Sequence, residues 1–194
     1  MKKGGALFQV TGSRAMAWIC GVLLGFCFIP TGWATNLYVP VTRTPFDRQM
    51  ARVAHIIEDQ PNPGSFTLDD AHQLVNRLNR LPYRYANIWM TPEETLTSGS
   101  GDCKNKSLIL IQQMKDQGAR NVKLVIGTHK NGPRNNHAWV KWIHNGETWI
   151  LDPTHHRRAI RADQFARGVY EAGYAYSESG RYQSVRDTAM VANR

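Results

Sequence analysis

Apolar residues recur at helical spacing as far as residue 118, and at strand spacing from residue 122 to residue 151. Thr44 and Pro45 set a cap and a first-turn proline, and Phe46, Met50, Val53, Ala54 and Ile57 then fall on one face of a helix. Pro61-Asn62-Pro63-Gly64 ends it. Thr67 caps a second helix whose apolar stripe is Leu68, Ala71, Leu74, Val75 and Leu78. Thr91-Pro92-Glu93-Glu94 is a capping box that opens a short third helix. After Ser98-Gly99-Ser100-Gly101, Asp102 is the N-cap of a fourth. Leu108, Ile109, Leu110, Ile111 and Met114 make that helix apolar on most sides, which predicts burial, and Gly118 sits where a C-cap glycine belongs. Val122 to Ile126, His137 to Ile143 and Glu147 to Leu151 read as strands. Beyond Asp163, the aromatic positions Phe165, Tyr170, Tyr174, Tyr176 and Tyr182 read as a short helix and irregular cover, ending in a loose tail. Helices first and a meander after imply an α+β domain with a small antiparallel sheet.

Asn145-Gly146 is a strong two-residue hairpin signal. It pairs His144 with Glu147, and pairing back along the strands sets Trp139 opposite Asp152 and His137 opposite Thr154. Alternate residues share a face, so His137, Trp139 and Asp152 point the same way. His137 and Asp152 become diagonal neighbours, roughly 7–8 Å apart by backbone and within side-chain reach. A three-residue turn would reverse the face of Asp152.

The N-terminus changes what the rest of the chain is. Lys2, Lys3 and Arg14 precede and enter an apolar stretch from Ala15 to Ile29, Pro30 breaks it, and Gly32-Trp33-Ala34 offers small residues for a signal peptidase. Residues 1–34 are therefore expected to be a secretory signal, and 35–194 one domain. A retained membrane anchor is the competing reading, but the apolar stretch falls short of the ~20 residues that span a bilayer. Neither Cys20 nor Cys27 follows the small residue of a lipoprotein signal. Cleavage leaves Cys103 as the one thiol of a periplasmic or secreted protein, where it is either an inert core cysteine or a reactive one. The segment carries three positive charges and no acidic residue, so the formal charge of +9 falls to +6. Those charges are scattered, which favours contact with anionic envelope surfaces over nucleic acid.

Cys103 lies in the first turn of the buried helix, where the helix dipole and free N–H groups stabilise a thiolate. Thiol catalysis also needs a base and a group that orients it. The hairpin supplies His137 and, beside it, Asp152, which can alternatively cap the turn before Pro153. The Cys103 N–H is a candidate oxyanion donor, with Asn87 and Trp89 as candidates for the second. Asp163 is the next candidate for the third member. His155-His156 invites a metal reading, but adjacent histidines on a strand point apart, and no second cysteine or obvious carboxylate completes a zinc site. His55, His72, His129 and His144 read as surface or helix-face residues. Trp139, Trp142 and Trp149 read as sheet packing, with Trp139 placed to wall a cleft.

Gly101-Asp102-Cys103-Lys104-Asn105-Lys106-Ser107, His137-Ala138-Trp139-Val140 and Trp149-Ile150-Leu151-Asp152-Pro153-Thr154 resemble the three blocks of the transglutaminase-like superfamily. Trp89 to Leu96 running into Gly99-Ser100-Gly101-Asp102-Cys103 is similar, more narrowly, to the bacterial transglutaminase-like cysteine peptidases. That resemblance covers about residues 74–154 and implies a papain-like core, a periplasmic location and a catalytic Cys103-His137-Asp152 triad. It implies hydrolysis of a peptide or amide bond in a protein of the cell envelope, in the family a surface adhesin whose cleavage controls biofilm release. Two departures stand out. Lys104 and Asn105 replace acidic residues that follow the cysteine and help hold calcium, so no cofactor is expected and calcium is doubtful. Asp152-Pro153-Thr154 is closer to the wider superfamily than to the peptidase branch. The same triad also serves an acyl transferase that crosslinks proteins, and a non-catalytic envelope-binding module is the reading from another class. No feature of the pattern sets an oligomeric state.

Overall fold

The computed structural model describes residues 37–130 and 136–185. The expected signal, the cleavage site after Ala34 and the end of the expected tail lie outside the described residues. Contacts divide the chain into Met1–Gly32 and Trp33–Arg194, and all that follows concerns the second unit. Strand β1 (Leu37–Val41) comes first, then helices α1 (Asp47–Met50), α2 (Ala54–Glu58), α3 (Leu68–Asn79), α4 (Pro92–Ser98) and α5 (Cys103–Asp116). Strands β2 (Val122–His129), β3 (His137–His144), β4 (Glu147–Leu151), β5 (Ile160–Arg161), β6 (Tyr170–Ser177) and β7 (Gly180–Val185) follow. Among the described residues the strands form one antiparallel sheet of seven in the order β1-β7-β6-β2-β3-β4-β5. No described helix is long and apolar enough to cross a membrane.

The capped helices form where their local signals place them. Thr67 and Asp70 close a reciprocal capping box on α3, as Thr91 and Glu94 do on α4. Asp102 accepts from the Asn105 N–H at the start of α5. Gly118, at φ +92°, follows the end of α5, and a Cβ there would meet the backbone of Gly64 at 2.5 Å. Leu108 to Ile111 and Met114 are fully buried between the sheet and the other helices. Ser107 Oγ donates to the Ala138 carbonyl at 3.3 Å, fixing α5 to β3. The buried Lys115 ammonium donates to the carbonyls of Ile57 and Asp59, where α2 ends and its carbonyls lack helical partners.

Two expectations need correction. The single helix from Thr44 is two short ones. Asp47, not Pro45, starts the first, and Val53 N–H bonds to the Met50 carbonyl in a tighter turn that separates them. The bend buries Val53 fully and sends Arg52 out to Glu94. The second correction is larger. The C-terminal segment is not a helix and irregular cover: β6 and β7 extend the sheet and pair it with β1, and the helical content is one 3-10 turn, Ala162–Gln164. A bulge hides β6 from a test for period two. Ile126 pairs with Tyr174 but Gly127 pairs with Ala172, so Gly173 is the extra residue. Tyr174 and Tyr176 consequently pack toward the helices, whereas Tyr170 and Ala172 pack on the opposite face with Val125, Trp139 and Ile150. The bulge brings the strands so close that a Cβ on Gly127 would lie 2.0 Å from the Glu171 carbonyl oxygen.

Candidate active site

The expected hairpin forms in the expected register from His144–Glu147 to Val140–Leu151, whereas the expected pairs Trp139–Asp152 and His137–Thr154 do not form. Asn145 and Gly146 both have positive φ, and His144 pairs with Glu147. The ladder ends at Val140 and Leu151. Asp152 then leaves the strand at the head of a turn in which His156 N–H bonds back to the Asp152 carbonyl at 2.9 Å. His137, the first residue of β3, reaches it: His137 Nε2 and Asp152 Oδ2 are 2.7 Å apart. Both side chains are buried.

Asp152 is clamped by donors on both oxygens. Oδ1 accepts from the N–H groups of Thr154 at 2.9 Å and His155 at 3.4 Å, while Oδ2 accepts from His137 and from the Tyr170 hydroxyl at 2.7 Å. Burial disfavours the carboxylate, but the bond from His137, the charge of that ring and the Tyr170 hydroxyl overcome it, and its pKa falls to about 2. Tyr170 is driven the other way, well above a normal phenol, by burial and by the carboxylate it touches. It stays a donor.

Cys103, half-buried at the first position of α5, stands close enough to the same imidazole to act on its charge. With Nε2 held by the carboxylate, Nδ1 is the nitrogen left to serve the thiol. Burial alone would lower the pKa of His137. The bond to Asp152 and the influence of Asp152 and Cys103 on its charge reverse this and raise it to about 9, so the ring carries its proton at neutral pH. The arrangement joins a helix-start thiol, a protonated imidazole and a buried carboxylate in one line. Such a line can hold a thiolate–imidazolium pair, deliver the ring proton to a leaving group and take one back from water.

Trp139 and two further histidines wall this line. Trp139 stacks on His137 with ring centroids 5.9 Å apart, and packs against Tyr170 and the second apolar cluster. His129 is buried at the end of β2, not on the surface as its position in the sequence suggests. It stacks on His155 at 4.1 Å and lies 5.6 Å from His137. Burial, and then the neighbouring rings of His155 and His137, push its pKa down to about 4. A neutral His129 can therefore border the His137 imidazolium without charge repulsion.

His155 also corrects the expectation that the paired histidines point apart on a strand. They stand in a turn, and His137, Asp152 and His155 each bring a possible ligand atom within 4.8 Å of the others. In the same cluster His137 Nε2 and Asp152 Oδ2 are bonded to each other at 2.7 Å. Asp163, the next candidate for the third member, does not join the site and is paired with Arg161. The Trp89 side chain is buried in the core against the helices, and Asn87 is exposed. Tyr170, His129 and His155 were not singled out by spacing or motif as parts of the site. Only His155 had a signal, its place in the turn that Asp152-Pro153 begins.

The described residues form a mixed fold of helices packed on one seven-stranded antiparallel sheet, with Cys103, His137 and Asp152 brought to one place in it. Comparison with known proteins places the fold. No protein-family model matches the chain, and no curated protein does. Among solved structures, Legionella pneumophila LapG, a transglutaminase-like cysteine protease, superposes with a TM-score of 0.54 at 16% identity, over 66% of this chain and 76% of that one. Its calcium-bound form superposes with a TM-score of 0.52 at 16% identity, over 63% and 73%. The chain has the fold of that protease.

Proposed function

We propose that this protein is an exported thiol enzyme that hydrolyses a peptide or amide bond of a protein substrate through an acyl-thioester on Cys103. The observation that carries the reading is the buried His137–Asp152 pair at 2.7 Å, with the half-buried Cys103 at the start of α5 beside it. In the forward step the Cys103 sulfur bonds to the substrate carbonyl carbon. The carbonyl oxygen then bears charge at the start of α5, where a helix leaves its first N–H groups without partners of its own. Collapse breaks the carbon–nitrogen bond, and His137 gives its proton to the departing amine. Water then yields a proton to His137 and its oxygen to the acyl carbon, and the carbon–sulfur bond breaks. Asp152 stays ionised throughout and holds the ring in place. A periplasmic or secreted location follows from the character of residues 1–34, and a surface adhesin is the substrate class that the sequence resemblance suggests.

Two experiments test this. Peptide mixtures incubated with enzyme and a primary amine should yield hydrolysed fragments that depend on Cys103. Amine-linked products in place of hydrolysed ones would make the protein an acyl transferase, and neither product from any envelope protein would favour a binding module. Comparing surface proteins released by wild-type and deletion strains then identifies the substrate.

A further inference from the structure

The nucleophile's helix begins beside an unusual cation. Lys104 turns back across the start of α5 and donates to the Ala86 carbonyl at 2.5 Å and to Asp102 Oδ2, and lies 5.2 Å from the centre of the Tyr85 ring. The same Asp102 Oδ2 accepts from the Ala86 N–H at 3.1 Å. Ala86 is thus held at both its amide and its carbonyl by one carboxylate–ammonium pair. Nearby, Arg84 N–H bonds to the Gly101 carbonyl at 3.3 Å, and Met90 N–H bonds to Asn105 Oδ1 at 3.0 Å. Residues 84–90 have no helix or strand of their own; these bonds to 101–105, together with the buried Trp89, hold them at the start of α5.

One carboxylate oxygen and one main-chain carbonyl are hard oxygen donors of the kind that bind calcium. LapG is known in a calcium-bound form. Here the residues do not fit such an ion. Calcium takes six to eight oxygens, and the acidic group at this point is Asp102, whose side chain is nearly inaccessible and already paired. Among the described residues the one cluster of potential metal ligands lies elsewhere, at His137, Asp152 and His155. We propose that the Lys104 ammonium is a built-in cation that does here what a bound divalent ion would do. It neutralises the buried Asp102 and pins residues 84–90 against the start of the nucleophile's helix. Lys104 is a positioning residue, and the claim stands whether or not Cys103 proves to be a nucleophile, because its readouts are physical.

The test is thermal unfolding and amide hydrogen exchange of the full mature chain in calcium chloride and in EGTA, for wild type, Lys104→Met and Lys104→Arg. Wild type should melt at the same temperature in both solutions. Lys104→Met leaves Asp102 buried without its counter-charge and should lower the midpoint by roughly 5–15 °C. It should also speed exchange at Ala86 and Met90 while the β2–β3 amides keep their protection. Lys104→Arg, which keeps a cation, should recover most of both. If Lys104→Met does not fold, recovery by Lys104→Arg supports the claim in its place, and failure of both variants to fold would contradict it. A wild-type midpoint that rises with calcium or falls with EGTA would overturn the proposal, as would a Lys104→Met protein with unchanged exchange at residues 84–90.

Discussion

Replacing Asp152 with Asn removes one charge and keeps the shape, and the surroundings of the carboxylate fix the consequence. Asp152 accepts four hydrogen bonds, two on each oxygen. An amide has one oxygen and one NH2 group. The backbone N–H of Thr154 cannot turn away, so the amide oxygen must take the Oδ1 place and the NH2 group must face His137 and Tyr170. His137 Nε2 then has to accept, which moves the ring's proton to Nδ1, toward the thiol. That tautomer cannot take a proton from Cys103. The imidazolium also loses its counter-charge. The climb of His137 from 6.5 to about 9 is worth about 3 kcal/mol, at about 1.4 kcal/mol per tenfold. Asp152 and Cys103 share it, and a carboxylate portion of about 2 kcal/mol corresponds to about 30-fold in rate. The assay is the second-order rate of Cys103 alkylation by iodoacetamide across pH, read by intact mass. Wild type should react readily at neutral pH and change behaviour near pH 9, where His137 loses its proton. Asp152→Asn should react about 30-fold more slowly at neutral pH, with that inflection moved toward 6.5. An unchanged rate and an unchanged inflection would show that Asp152 does not govern the ring.

Other expectations follow from the same contacts. In severity of lost turnover the order should be Cys103→Ala at least equal to His137→Ala, then Asp152→Asn, with substrate binding nearly unchanged for the last, as KM against kcat will show. Tyr170→Phe removes one hydrogen bond to a buried charge and should cost about 1.5–3 kcal/mol of stability in denaturant unfolding, without abolishing alkylation of Cys103. Gly127→Ala places a Cβ against the Glu171 carbonyl and should destabilise by 1–3 kcal/mol or more, measurable in the same way. Stability should also depend on pH at both ends. The raised pKa of His137 gives a contribution that is whole below 6.5 and lost as pH rises through about 9. The depressed pKa of Asp152 gives one that is whole above 3.8 and lost as pH falls toward about 2. His129, held neutral, adds a further loss between 6.5 and about 4 because the unfolded chain binds that proton first. Thermal midpoints measured across pH should therefore be highest near 6.5, and Asp152→Asn should flatten the alkaline side.

What could be read from the sequence was what local chemistry decides. Thr67, Thr91 and Asp102 mark helix starts because their side chains satisfy N–H groups only a few residues away. Asn145-Gly146 fixes the hairpin and its register as far as Val140–Leu151, which brings His137 and Asp152 near each other; the turn after Leu151 then sets the carboxylate. What depends on distant partners could not be read. Tyr170 faces Asp152 because a bulge opposite Gly127 changes the phase of β6, and no pattern within β6 reveals a bulge imposed by β2. His129 stands at the site because β2 runs as far as residue 129 beside β6, three positions beyond the apolar run that marked the strand. Lys104 was visible as a departure from an acidic pattern. Its bond to Ala86 needed the fold.

The central claim is that Cys103 is a nucleophile activated by His137. It is tested most directly by exposing the folded protein to a peptide carrying a thiol-reactive electrophile and weighing the product. One peptide should attach, on Cys103, at neutral pH. Attachment should be absent in Cys103→Ala and slowed by orders of magnitude in His137→Ala, while both variants keep the wild-type fold by circular dichroism. A native protein that takes no label, or a His137→Ala variant that labels as fast as wild type, would contradict the account.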